Sequence, residues 1–134
     1  MSHRVQPCFI MSASLEYRDP PLNVLMSRQL RDQLARDGIP HKWVEGVYKG
    51  SHENSYLILD GDGRKEYVAE LCRRYEQECY LYRDGQGLAW FVYADGREEL
   101  QGAFVSRDKE TAKRQDGYTY DEKTDTYWVI EPLT

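Results

Sequence analysis

The order of strand-like and helix-like segments constrains the fold of this chain more than any other feature of its sequence. Four short apolar runs, each typical of a strand, lie at residues 8–11, 42–48, 56–59 and 79–82. Two segments with apolar side chains on one helical face, residues 22–34 and 67–75, separate the first run from the second and the third from the fourth. Pro20 precedes the first helix and Gly38 ends it. The first six elements therefore have the order βαββαβ.

This order is that of the split βαβ unit, so we predict an α+β fold. It would be a ferredoxin-like βαββαβ sheet with two helices on one face, extended by C-terminal antiparallel strands. The extension comes from apolar runs at residues 88–93 and 100–105 and from a hairpin over residues 118–130, with a charged loop at residues 106–117. The chain has 134 residues with neither a linker nor a repeat, so we predict a single domain over residues 1–134.

Composition excludes several classes of function. The net charge of -5 argues against a nucleic-acid binder, which draws most of its affinity from Lys and Arg on phosphates. No apolar stretch is long enough to span a membrane, and the N-terminus has no apolar run typical of a secretory signal. Three cysteines and three scattered histidines form no metal-ligand motif, so we predict no metal site, reduced thiols and a cytoplasmic location.

Three residues stand out as candidates for chemistry. Glu76 follows the second helix, where the helix dipole disfavours an acid, so its position has no local stabilising reason. Glu53 precedes an apolar strand, and Tyr48 lies five residues earlier. Carboxylates and aromatic rings both attract cations, which indicates a site for a cationic small molecule. The residues alone leave open that the acids are solvated surface groups and that the tyrosine is a strand or core residue.

Several local patterns, in order between residues 10 and 105, match one known family. They are Met-Ser-Arg at residues 26–28, an aromatic-Glu-Gln-acid-Cys core at residues 75–79, Val-Tyr-Ala-x-Gly at residues 92–96 and Leu-Gln-Gly-x-Phe at residues 100–104. Glu53 also falls where this family has a Glu just after an aromatic turn. The chain thus resembles the phage-encoded S-adenosylmethionine lyases, formerly called S-adenosylmethionine hydrolases.

The resemblance implies a cofactor-independent reaction in which the carboxylate of S-adenosylmethionine attacks its own γ-carbon, giving methylthioadenosine and L-homoserine lactone. It implies the following site residues: Glu53, Glu76 and Tyr48 as catalytic residues, and Ser27, Gln77 and Tyr56 as substrate-binding residues. Glu53 and Glu76 would hold the amino group and sulfonium, and Tyr48 would help to fix the ring-closing conformer. Tyr56 is the rival of Tyr48 for the position of the active-site tyrosine.

The resemblance also implies a homotrimer with sites between subunits, and depletion of S-adenosylmethionine that counters host restriction and modification. Two alternatives are a non-catalytic phage inhibitor or small-molecule-binding protein on the same scaffold, and a hydrolase that gives homoserine. An acidic DNA mimic is disfavoured because 18 basic residues interrupt the negative charge.

Overall fold

The computed structural model describes residues 5–133; residues 1–4 and 134, the ends of the predicted domain, lie outside the described part. In chain order the elements are β1 (Cys8–Ser12), α1 (Pro20–Arg36), β2 (His41–Tyr48), β3 (Ser51–Leu59), α2 (Arg64–Arg74), β4 (Cys79–Arg83), β5 (Leu88–Tyr93), β6 (Glu98–Arg107), α3 (Lys109–Lys113), β7 (Gly117–Asp121) and β8 (Thr126–Glu131). The predicted C-terminal hairpin is confirmed as β7 and β8, whereas the predicted charged loop contains the end of β6 and the short helix α3.

The eight strands form a closed antiparallel barrel. Around the barrel their order is β1-β3-β2-β7-β8-β6-β5-β4, and β4 pairs with β1 to complete the ring. The prediction of a ferredoxin-like sheet is therefore wrong. The first four strands are neighbours in the order β4-β1-β3-β2. However, β7 pairs with β2 and β5 pairs with β4, so the C-terminal strands join the two edges that an open sheet would leave.

Strand β6 makes this closure possible because it changes partner along its length. Its first half pairs with β5 and its second half with β8, and Ala103 lies at the change. Gly102 stands next to this point with a φ of +149°, and a Cβ there would lie 2.2 Å from the carbonyl oxygen of Glu131. Only glycine allows this backbone approach. The pairing with β5 is also irregular between Ala89 and Trp90, a bulge that bends the strands toward a barrel.

Alternation along the strands produces two apolar layers. One side chain in two points into the barrel, where Phe104 stacks on Trp128 with ring centroids 5.4 Å apart beside Ile10 and Val44. The alternate side chains of β1, β3 and β4 point outward, and both long helices cover them. This outer core contains Phe9, Met11, Tyr56, Ile58 and Tyr80 from the strands, Leu30 and Leu34 from α1, and Val68, Leu71 and Cys72 from α2. The helices thus lie on one outer wall of the barrel.

Local sequence explains where the helices begin and end. Proline occupies the first positions of α1, where the missing N–H costs nothing, and Gly38 ends the helix with a φ of +66°. In α3, the Asp108 side chain accepts a hydrogen bond from the Thr111 N–H and caps the helix. Within residues 5–133, no helix has both the length and the apolar character needed to cross a membrane.

Candidate active site

Glu53 lies on the inner face of β3, at the end of the barrel that β1 reaches with its last residue. Ser12 pairs with Ser55, two residues along β3 from Glu53, and the Ser12 hydroxyl is hydrogen-bonded to the Glu53 carboxylate. Burial raises the pKa of Glu53, the hydrogen bond from Ser12 opposes this shift, and the negative charge of Glu16 adds to it. The carboxylate is half-buried, so it combines limited hydration with access from solvent.

On the inner face, the strand next to Glu53 has no side chain at the position opposite it. Gly46 of β2 stands directly opposite Glu53, and Thr119 of β7 stands opposite Gly46. Tyr48 lies on this same face, two pairs further along the β2–β3 ribbon, opposite Ser51. The inner strand surface between Glu53 and Thr119 therefore carries no side chain at Gly46, and we call this surface the floor.

Tyr48 presents its ring to solvent at the edge of this floor. Its side chain is 62% exposed, and it lies against Gly117, where an added Cβ would be 3.2 Å from the Tyr48 Cδ2 atom. The Lys49 ammonium is 5.3 Å from the ring centroid, so the ring already attracts a cation. The Tyr48 ring is therefore an exposed aromatic surface on the strand face that carries Glu53.

Glu76 terminates α2 in an unusual backbone conformation. The Gln77 N–H donates to the Cys72 carbonyl at 2.8 Å, and the Glu76 N–H donates to the Arg73 carbonyl at 3.2 Å, the pair of bonds that defines a Schellman motif. The left-handed position of this motif normally belongs to glycine, but here Glu76 holds a φ of +58°. The surrounding structure must therefore offset the backbone strain at Glu76.

The two acids are connected through three consecutive residues at the end of β1, the first of which is its last residue, Ser12. Ser12 contacts Glu53, as described above. The Ala13 carbonyl accepts a hydrogen bond of 3.1 Å from Arg18 Nη1, and the Nη2 of Arg18 lies 3.5 Å from the Glu76 carboxylate. Gln77 Nε2 donates to the Ser14 carbonyl at 3.0 Å. We call residues 12–14 the linking segment, because the structure joins Glu53, Glu76 and Gln77 to it.

Asn23 fixes the loop that follows the linking segment. Its side-chain oxygen accepts from the Leu15 N–H at 2.9 Å, and its side-chain nitrogen donates to the Leu15 carbonyl at the same distance. Because Asn23 belongs to α1, these two bonds hold the loop to a rigid helix. The site therefore rests on regular structure on both sides.

Ser27 and Tyr56 lie apart from this arrangement. Tyr56 is on the outer face of β3, opposite in direction to Glu53, and is 5% exposed. Its hydroxyl lies 3.1 Å from the Ser27 Oγ and donates to the Ser27 carbonyl at 3.2 Å. This pair anchors α1 to the barrel wall. The structure thus places Tyr48, and not Tyr56, on the face that carries Glu53.

Comparison with known proteins decides the family. The model of the S-adenosylmethionine lyase family matches residues 9–131 of the chain. The chain belongs to this family. A search of curated proteins gives no match.

Membership makes the protein a lyase that acts on S-adenosylmethionine, as the sequence patterns predicted. The matched region begins one residue into β1 and ends at the last residue of β8, so it contains the helices and all of the barrel except Cys8. Glu53, Glu76 and the linking segment all fall within it. The C-terminal hairpin, for which the sequence patterns offered no counterpart, is included as well.

Sequence reasoning missed the residues of the lyase that connect its two acids. Ser12 and Ser14 look like the polar end of a strand, and Arg18 looks like a solvated charge in a loop. The structure instead leaves only 11% of the Arg18 side chain exposed. Glu16, whose charge acts on Glu53, was missed for the same reason. A run of polar residues directly after a buried strand, ahead of a Pro-initiated helix, is the signal that could have drawn attention to them.

Among residues 5–133 of the lyase, no group of three or more His, Cys, Asp or Glu side chains is arranged to hold a metal ion. The thiols nearest to Glu76 belong to Cys72 and Cys79, which flank it in the chain. Burial raises the pKa of Cys79 to about 11 and that of Cys72 to about 12. Both sulfurs are therefore protonated at neutral pH and are poor nucleophiles.

Proposed function

We propose that this lyase converts S-adenosylmethionine to methylthioadenosine and L-homoserine lactone without a cofactor. The carboxylate of the methionine moiety attacks its own γ-carbon, the bond from that carbon to sulfur breaks, and the electron pair leaves on sulfur as a neutral thioether. The reaction consumes no water, takes up or releases no proton and needs no external electron acceptor. The match to the family over residues 9–131, with Glu53 and Glu76 joined by the linking segment, is the observation that supports this most.

The proposed task of the protein is to hold the substrate in its ring-closing conformer. Proximity and orientation can contribute about 7–11 kcal/mol to such a reaction. The positive charge on sulfur disappears in the transition state, whereas that on the ammonium persists. An acid therefore assists more by orienting the ammonium than by stabilising the sulfonium, since an interaction that weakens in the transition state stabilises the ground state instead and slows the chemical step. We assign the ammonium to Glu76 and the sulfonium side of the substrate to Glu53 and the Tyr48 ring.

The remaining predicted residues take supporting roles in this proposal. Gln77, through its bond to the Ser14 carbonyl, keeps the linking segment against the end of α2. Ser27 and Tyr56 keep α1 in place on the outer wall. The Gln77 contact thereby holds the end of α2, next to Glu76, to the linking segment beside Glu53.

The products test the proposal directly. The protein is incubated with S-adenosylmethionine in H₂¹⁸O, and the products are identified by mass spectrometry. We expect methylthioadenosine and unlabelled homoserine lactone. Homoserine formed later by opening of the lactone would carry the label in its carboxyl group, whereas direct hydrolysis would place it in the γ-hydroxyl. Label in the γ-hydroxyl, or intact substrate, would overturn the proposal.

We further propose that the active form is a homotrimer with sites at the subunit interfaces. Glu76 is 72% and Tyr48 is 62% exposed, although the reaction requires a substrate shielded from water. Near Arg18, the start of α1 also exposes Leu22, Val24 and Leu25 by about half. A second copy covering this face would exclude water. Leu25→Glu should dissociate the oligomer in sedimentation experiments and lower the activity, whereas Leu100→Glu, on β6, should do neither.

The proposed biological role is depletion of S-adenosylmethionine in the cytoplasm of a phage-infected cell, which would deprive restriction and modification enzymes that need it. Expression in a bacterial host should lower the cellular S-adenosylmethionine pool and relieve restriction by systems that depend on it. A Glu76→Gln variant provides the control, because it alters one charge. An unchanged pool with the active protein would argue against this role.

A further inference from the structure

Arg18 is a buried cation in an otherwise acidic site. It belongs to the loop between β1 and α1, yet its side chain is only 11% exposed. Burying a guanidinium is costly unless it is paired, and Arg18 has two contacts that offset the cost. Nη1 donates to the Ala13 carbonyl at 3.1 Å, and Nη2 faces the exposed carboxylate of Glu76 at 3.5 Å.

The contact between Arg18 and Glu76 is loose. Hydrogen bonds between a guanidinium and a carboxylate are about 2.7–2.9 Å long, so a separation of 3.5 Å is an ion pair without a well-formed hydrogen bond. A guanidinium has five N–H donors, and the Ala13 carbonyl takes one. Donors therefore remain on the edge of Arg18 that adjoins Glu76. The same edge lies beside a carboxylate that is 72% exposed.

We propose that Arg18 and Glu76 together recognise the α-amino-acid head group of the substrate, with Arg18 binding its carboxylate and Glu76 its ammonium. This inference rests on the proposed function. An α-amino acid carries an ammonium and a carboxylate on one carbon. A carboxylate and a guanidinium lying side by side can therefore bind both groups. Charge-assisted hydrogen bonds of this kind are about twice as strong as neutral ones. Arg18 thereby becomes a specificity-determining residue for the head group.

This arrangement is compatible with attack by the carboxylate. A guanidinium edge that donates to one oxygen leaves the second oxygen to approach the γ-carbon. It also fixes the plane of the carboxylate, because Arg18 is itself held by the Ala13 carbonyl of the linking segment. The Glu53 side of the site, tied to the same segment through Ser12, then receives the sulfonium end.

A merely structural role for Arg18 makes a different prediction. If Arg18 only held the loop against α2, its removal would weaken every ligand alike. Head-group recognition affects only those ligands that have a head group. S-Adenosylhomocysteine carries the amino-acid head group and cannot undergo the reaction, whereas methylthioadenosine lacks the head group. The ratio of their dissociation constants separates the two roles.

The experiment measures both dissociation constants by calorimetry for the wild type, Arg18→Ala and Arg18→Gln, with Arg31→Ala as the control. Arg31 is an exposed arginine of α1 whose guanidinium contacts only its neighbour Asp32 among residues 5–133. We expect the preference for S-adenosylhomocysteine to fall by about tenfold or more in both Arg18 variants and to stay unchanged in Arg31→Ala. The KM for S-adenosylmethionine should rise in parallel.

Equal weakening of both ligands, or an unchanged preference, would overturn the role of Arg18. If Arg18→Ala does not fold, Arg18→Gln decides, because glutamine can still donate to the Ala13 carbonyl and lacks the charge. Failure of the proposed function has a different signature, since wild-type protein would then form no homoserine lactone. If the wild type forms lactone and Arg18→Gln keeps the preference for S-adenosylhomocysteine, the role of Arg18 is wrong and the proposed function still stands.

Discussion

Gly46 stands directly opposite Glu53 in the β2–β3 ribbon, so the strand that faces this carboxylate contributes no side chain. A Cβ at Gly46 would lie 3.2 Å from the Ser55 Oγ and 3.8 Å from the Glu53 carbonyl oxygen. The φ of Gly46 is not positive, so backbone strain does not require glycine at this position. A side chain there would instead crowd the Ser55 hydroxyl on the inner face.

Gly46→Val should therefore lower S-adenosylmethionine cleavage by about tenfold or more, because two methyl groups would occupy the floor next to Glu53 and displace the substrate. Initial rates of methylthioadenosine release measure this effect. His52→Val places the same side chain on the outer face of β3 and should retain the activity. Full activity in Gly46→Val would show that the substrate does not occupy this floor.

The raised pKa of Glu53 predicts a dependence of stability on pH. The folded protein holds the proton of Glu53 more tightly than the unfolded chain, whose ordinary value is 4.5, so ionisation of Glu53 disfavours folding. The contribution of Glu53 to the free energy of unfolding thus falls as the pH rises from 4.5 through the raised pKa of the folded protein. Glu53→Gln should be more resistant to urea than the wild type at about pH 7 and gain little at about pH 4. Its lyase activity should fall.

Glu122→Gln is the matched control for this measurement, since Glu122 is exposed in the turn between β7 and β8. It should show neither the gain in urea resistance near neutral pH nor the loss of activity. A Glu53→Gln variant that is equally stable at both pH values would refute the effect of burial on this carboxyl.

Glu76 predicts a conflict between stability and activity. A non-glycine residue in the left-handed region costs about 1–2 kcal/mol, so Glu76→Gly should raise the free energy of unfolding by about 1 kcal/mol. The same variant should lose most of its lyase activity, because the proposed partner of the ammonium is gone. Glu76→Gln retains the strained backbone and removes the charge, so it should lose activity without gaining stability. Loss of stability in Glu76→Gly would contradict the role of strain.

Gly102 tests how the barrel closes. An alanine Cβ at this position would overlap the Glu131 carbonyl, so Gly102→Ala should lower the free energy of unfolding by about 3 kcal/mol or prevent folding. Gly96→Ala is the control: its φ is +92°, but no atom lies within 4 Å of the added Cβ. Only backbone strain of about 1 kcal/mol is expected there. Equal thermal stability of the two variants would show that the approach of β6 to β8 is not tight.

The two candidate acids stand out in the sequence for different reasons. Glu76 breaks a local rule, since it lies where a helix prefers a cation or a glycine, whereas Glu53 stands out only through the family patterns, which have a Glu just after an aromatic turn. Ser12 and Arg18 break no such rule. Their importance arises from contacts across 41 and 58 positions of the chain, from Ser12 to Glu53 and from Arg18 to Glu76. Local patterns contain no information about pairs at such separations.

Most elements of the fold could be predicted from the sequence, whereas the predicted architecture is wrong. The reason is related. Periodicity identifies β1 to β4 and both long helices, because each buries one face. The same periodicity is compatible with an open sheet and with a barrel. What distinguishes them is the pairing of β2 with β7 and the change of partner in β6, and the second depends on a single residue, Gly102.

The position of β1 between β3 and β4 also has a consequence for the order of folding. On the ribosome β1 is synthesised first, but neither of its neighbours exists until much later, and Gly46 meets Thr119 only when the C-terminal hairpin has emerged. Contacts between residues so far apart in sequence make folding slow. A partly synthesised chain therefore cannot complete the floor beside Glu53, which forms only together with the last strands of the barrel.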